Sequence, residues 1–401
     1  MTECLCPEIS LESINNSVEF KLDKISAGGV RETFNTTSKP WIGDVDENGT
    51  LVPYTGDMNL IFNGVKKLST TVLKKKFYAN SMIKSAVFPD LEEINCVGAF
   101  EETFANNSSG EQCGVESIAF PKLKTLSYNN AFLTMCKYNS NLKSISFDNL
   151  ETIDCDGAFS YAFFHCYGIE SVSFPKLVSV NGDGAFRVTF AATNIKSASF
   201  PALKEINGDG CFYQCFSTAR SLENVYFPEL ERVGDYGLEI AFRYSIIKNL
   251  SFPKLKTLGV EGFAINSSNG FETVNMPELE RIETWGLDGG LCYSNLVDVV
   301  FPKLSYIGYE GFRGCFEGCE SLQSVSFPSF GPECASLPDS TDSSIPYAER
   351  TGWFFNNMLS DCSNVVVHFR QDIEEYVSDR SYFLNGFGGT NTTILYDLPA
   401  E

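Results

Sequence analysis

Hydrophobic and polar positions alternate in short runs along most of the chain, as in Ile145-Ser146-Phe147 and Val172-Ser173-Phe174. That alternation predicts strands with Val, Ile and Phe on one face and Ser on the other. A Pro follows the Phe in most runs; it has no N–H for a ladder, so it ends the strand and turns the chain. Two residues beyond the Pro comes a Leu, and three further an Ile, Val or Leu, as in Pro175, Leu177 and Val180. Taking the Phe as anchor, the phrase recurs from Phe88 through Phe120, Phe147, Phe174, Phe200, Phe227, Phe252, Met276 and Phe301 to Phe327, at intervals of 24 to 32 residues. Phe62 extends it upstream, giving eleven anchors. A period in the twenties is the mark of a solenoid whose units touch only their neighbours.

Two further columns run with the anchor. Ten residues past it stands Gly98, Gly157, Gly184, Gly210, Gly237, Gly262, Gly286 or Gly311, with Asn130 as the one substitute. Gly replaced by Asn predicts a positive φ along the whole column. Just beyond lie aromatic pairs four apart, such as Phe100 and Phe104, Phe159 and Phe163, Phe186 and Phe190. This spacing predicts one face of a short helical turn, and stacking of the turns predicts a spine of Phe rings. The fold class that follows is a repeat solenoid with a parallel β-sheet on one face, short helical or irregular turns on the other, and a cap at each end.

These residues resemble the BspA-like, or Treponema-type, leucine-rich repeats, in Leu142-Lys143-Ser144-Ile145, Phe174-Pro175-Lys176-Leu177, and Ala158-Phe159 followed by Cys166. The resemblance spans residues 61–330, and its Ser-Val-Ser-Phe-Pro wording is most similar to the gut phage and gut bacterial branch. It implies binding rather than catalysis: a phage virion accessory or receptor-binding protein, a bacterial surface adhesin, or a purely structural virion decoration. The partner it implies is a host-surface protein or glycan.

Composition narrows the setting. The net charge of −21 disfavours nucleic acid and anionic membranes as partners. No apolar run is long enough to span a bilayer, and the first twenty residues lack the basic cluster and apolar core of a secretory leader. The expected localisation is therefore a virion assembled in a host cytoplasm, or otherwise an extracellular or cell surface. The 14 Cys fall mostly on core columns, among them Cys136, Cys155, Cys166, Cys211 and Cys319, which predicts reduced, buried thiols.

Two constellations stand out as candidate chemistry. The outward strand face reads Ser117, Ser144, Ser171 and Ser197 in the first half, then changes to Asn224, Tyr226, Thr273, Asn275, Asp298 and Val300. An exposed Tyr among Asn and Asp suits a sugar or a protein epitope. The second constellation is the turn ahead of the Gly, where Asp156, Asp183 and Asp209 recur in three consecutive repeats. Stacked, they would form an acidic ladder that Ca²⁺ can bridge; alternatively they are turn formers ahead of a left-handed residue. No other cofactor is expected. His165 and His368 have no partner motif, and the sequence holds neither a nucleophile elbow nor a P-loop. It reads as non-enzymatic.

The ends break the period. Residues 1–60 carry one alternating strand at Val18, Phe20 and Leu22, then loop punctuation, and read as a cap or as a segment that docks onto other virion proteins. Residues 331–401 read as a long Pro/Ser/Asp insertion, an aromatic turn at Trp353-Phe354-Phe355, a strand at 365–369, a helix capped by Asp372 over 372–384, and a closing strand at 392–396.

Overall fold

The computed structural model describes residues 58–62, 65–71, 73–106, 112–265, 270–335, 353–378, 383 and 386–400, together with strands at 8–14, 17–23, 43–45 and 51–53. The described residues form a leucine-rich-repeat solenoid of three sides. Its front carries three-residue strands stacked in parallel and in register, such as Ser117–Ala119 beside Ser144–Ser146 and Ser171–Ser173 beside Ser197–Ser199. A second sheet of two-residue strands, from Thr125–Leu126 to Tyr306–Ile307, runs eight strands long in chain order. The third side, the back, is a run of turns.

The front sheet continues past the repeats at both ends. Ser324–Phe327 pairs in parallel with Val366–Arg370, and that strand pairs with Thr393–Leu398, so Phe369 and Tyr396 fall in the anchor column behind Phe327. At the other end Met58–Ile61 pairs with Glu8–Ile14, which forms an antiparallel hairpin with Ser17–Asp23. The alternation at Val18, Phe20 and Leu22 therefore marks a real strand, whose partner Glu8–Ile14 sequence patterning did not reveal.

The core is a set of ring columns. Phe62, Phe88, Phe120 and Phe147 stack at centroid distances of 4.2, 4.9 and 5.1 Å. Phe132, Phe159, Phe186 and Phe212 form a second stack at 5.0, 5.1 and 4.7 Å. The two columns meet edge to face, as where Phe174 meets Phe186 at 5.2 Å. Stacking within a column and T-contacts between columns satisfy the ring quadrupoles in both directions. The thiols lie in the same interior: of the eleven cysteines described, all unbonded, only Cys96 is not buried. Burial pushes the Cys113 thiol up to about 11 and Cys155 to about 12, so both are protonated and inert at neutral pH.

Of the short helical or irregular turns expected on the back, the structure has the irregular kind, and the helical turn read from the aromatic spacing does not form. Along the aromatic stretch every fourth residue is left-handed, as in Gly157, Tyr161 and His165 at φ 60, 53 and 59°. Alternate amides close i→i+3 turns, as Ser160 N–H to Gly157 O, while the ones between reach the next rung, as Phe159 N–H to Ala185 O at 2.7 Å and Tyr161 N–H to Arg187 O at 2.9 Å. A helix would direct all its amides along itself and leave none for stacking. Here the back is a third hydrogen-bonded ladder.

The Gly column also divides in two. Gly98, Gly157, Gly184 and Gly210 have positive φ, as does Asn130. In the second half the turn is one residue shorter, and Tyr236, Glu261, Trp285 and Glu310 adopt the left-handed conformation instead. Gly286 is then selected for space, since a Cβ there would lie 2.6 Å from Ile282 Cγ2. At the C-terminal end, Gln371–Ile373 is a 3₁₀ turn followed by the short helix Glu374–Val377. Asp372 is not its cap: its carboxylate accepts from Arg370 Nε at 2.9 Å and Nη2 at 2.5 Å. Most of the expected insertion at 331–349, and the remainder of the expected helix apart from Phe383, lie outside the described residues.

Candidate functional site

The front strands place all six candidate face residues outward. Asn224 and Tyr226 flank Val225, Thr273 and Asn275 flank Val274, and Asp298 and Val300 flank Val299, with the central side chain turned inward in each case. Tyr226 is 52% exposed and Val300 50%. One rung without an unusual residue, Asn249–Ser251, separates Asn224–Tyr226 from Thr273–Asn275. At about 4.8 Å per rung, Tyr226 and Val300 stand about 14 Å apart on one column.

Several polar members are tied sideways to the next rung. Thr273 Oγ1 donates to Asn249 Oδ1 at 2.8 Å, Asn275 Nδ2 to Ser251 Oγ at 3.3 Å, and Ser324 Oγ to Asp298 Oδ1 at 2.6 Å. These bonds hold the side chains flat along the sheet. Asp298 keeps its second carboxylate oxygen for other donors.

The acidic turn residues take up a structural task. Asp156 Oδ1 accepts from the Asp183 amide at 3.0 Å, and Asp183 Oδ1 from the Asp209 amide at 2.9 Å. Asn129 and Asp235 continue the pattern to the Asp156 and Val260 amides at 3.0 and 2.8 Å. Asp156, Asp183 and Asp235, like the Asn129 side chain, thus each cap an amide on the following rung, whereas Asp209 is capped without passing the pattern on. Burial first, then the charges of Asp183 and Asp235, raise Asp209 above the usual carboxylate range. No group of three metal-ligating side chains occurs among the described residues. His165 Nδ1 lies 2.5 Å from Tyr167 Oη and His368 Nδ1 lies 3.0 Å from Asp397 Oδ1, in different parts of the array.

One feature escaped sequence reasoning although its signal is in the sequence. The position ahead of each front strand alternates in sign over seven repeats, from Glu116, Lys143 and Glu170 through Lys196, Glu223 and Lys248 to Glu272. The structure turns that into inter-rung ion pairs, Lys143 with Glu116 at 2.6 Å, Lys196 with Glu170 at 2.9 Å and Lys248 with Glu272 at 2.5 Å. Reading charge sign at the repeat period would have found it. On the back, burial and then the charge of Glu261 push the Glu239 carboxyl up to about 7, with Arg187 opposing.

A stacked array with a buried Phe core and a flat outward face is a leucine-rich-repeat scaffold that presents a surface. Residues 70–219 and 129–269 match the BspA type Leucine rich repeat region in six copies, and the chain belongs to that family. No curated protein matches it in sequence. Among solved structures it is similar to the pneumococcal vaccine antigen PcpA, at 17% identity, covering 99% of this chain and 89% of that one, with a TM-score of 0.37.

Proposed function

We propose that the protein is a non-catalytic recognition protein whose front strip, Asn224 to Val300, engages a host-surface protein. The observation that carries this reading is the pair of exposed apolar side chains, Tyr226 and Val300, on a column where the rungs beside them put Ser199 and Ser326. The scaffold does not need apolar groups there, and a flat face with a few aromatic or aliphatic anchors among oriented polar groups is what a protein partner selects. The setting we propose is a phage particle with the N-terminal strands as the attachment segment; a bacterial surface adhesin is the alternative.

The test is saturable binding of the labelled chain to a panel of intact gut bacteria. Tyr226→Ala with Asp298→Ala is expected to weaken binding at least tenfold while the melting temperature stays within about 1 °C, because exposed substitutions shift stability little. Undiminished binding by the double variant would remove the front strip from consideration. If deleting residues 1–60 abolishes incorporation into particles while the front strip tolerates substitution, the protein is a structural decoration instead.

A further inference from the structure

We propose that the back of the solenoid carries a second site, for an acidic saccharide chain, built on aromatic rings and unpaired cations. Many lysines on the other two sides are neutralised by the adjacent rung, as Lys254 by Glu229 at 2.6 Å, Lys256 by Glu231 at 2.8 Å and Lys303 by Glu278 at 2.6 Å. Three cations of the back are held differently. Lys137 Nζ sits 5.2, 5.4 and 5.7 Å from the ring centres of Tyr138, Tyr161 and Phe164. Arg187 lies over Tyr213 at 4.9 Å and Arg243 over Tyr244 at 4.8 Å. None of the three forms an ion pair with a described residue. A cation on a ring face keeps most of its charge available, because the ring holds it in place without neutralising it.

Backbone bonds fix the order of these groups across the back. Tyr138 N–H reaches Phe164 O at 2.8 Å, His165 N–H reaches Ala191 O at 3.2 Å, Ala192 N–H reaches Ser217 O at 3.0 Å, and Thr218 N–H reaches Arg243 O at 2.8 Å. In this column rings and cations therefore stand at both ends, and the two rungs between them put small side chains there, with Arg187 and Tyr213 on those same rungs one turn earlier. The scaffold does not require those rings: where one rung has Phe164 and His165, the next has Ala191 and Ala192. Tyr138 and Tyr244 are exposed. The result is a floor two rungs wide, about 14 Å from wall to wall at about 4.8 Å per rung.

A saccharide fits this chemistry on both counts. The C–H faces of a sugar ring stack on the electron-rich faces of Tyr and His. A carboxylate or sulfate on the sugar finds Lys137, Arg187 or Arg243 within a chain whose net charge of −21 repels anions elsewhere. Long phosphate polymers meet that general repulsion over a far greater length, which favours a short acidic glycan segment over nucleic acid.

The experiment titrates the full chain with a hexagalacturonate, a heparin hexasaccharide, neutral maltohexaose and a six-nucleotide dT oligomer, by calorimetry at 50 and 200 mM salt. One or both acidic sugars are expected to bind at least tenfold more tightly than maltohexaose and dT. Lys137→Gln with Arg243→Gln should weaken them tenfold or more, and Tyr138→Ala with Tyr244→Ala likewise, with circular dichroism unchanged. Tyr226→Ala on the front should leave this affinity within twofold, which separates a failure here from a failure of the front strip. The proposal is overturned if neither acidic sugar binds, if dT binds as well as they do, or if the glutamine pair binds like the parent.

Discussion

The carboxylates of this chain show how the same residue type acquires different tasks from its rung position. Asp183 bridges rungs by accepting from the Asp209 amide, so Asp183→Ala is expected to lower stability by about 0.5–2 kcal/mol, in the range of a lost cap, while Asp183→Asn keeps the acceptor and most of the stability. Urea unfolding midpoints check both. A Ca²⁺ bridge over the ladder predicts something else, a fall in melting temperature on adding chelator. Glu239 behaves oppositely to a capping acid. Its folded carboxyl is raised to about 7, so the stability it contributes is complete below the ordinary carboxyl range and is lost as pH rises through about 7. Glu239→Gln should therefore match the parent at pH 4 and exceed it in melting temperature at pH 8. A variant equal to the parent at both values would show that Glu239 titrates normally.

At the scale of the element, the front strand was legible and the back turn was not. Val172-Ser173-Phe174-Pro175 specifies a strand, its buried face and its end within four residues, because alternation and the missing Pro amide are local causes. The aromatic pairs four apart are ambiguous, since a helix and a chain with every fourth residue left-handed repeat at the same interval. Tyr161 and Val188 at φ 53 and 56° run against single-residue preference, and the amides they release to the next rung stabilise them. That term appears only once rungs are stacked. Likewise, alternation identified which side chains of the candidate strip face outward, while their sideways bonds depend on a register that no single repeat contains. Packing in this element should be unforgiving: Phe186, stacked on Phe159 at 5.1 Å and on Phe212 at 4.7 Å, is expected to cost about 3–5 kcal/mol on truncation to Ala, and less to Leu, by denaturant titration.

For the whole molecule, cohesion is one-dimensional. Each rung is held by two neighbours through three ladders and a ring spine, and the inter-rung ion pairs lie exposed, where water and salt screen them and each contributes little. Salt should therefore change the stability of the array little, whereas interrupting the spine anywhere weakens both neighbouring segments. The buried thiols give this arrangement a further consequence. Cys113, Cys136, Cys166, Cys215, Cys315 and Cys362 occupy different rungs from one end of the array to the other, each sealed in the same dry interior. Every one is a clock set at a known station along the stack, silent until its own storey opens to an alkylating reagent. The order in which they fall, read by mass, would trace the route by which the column comes apart.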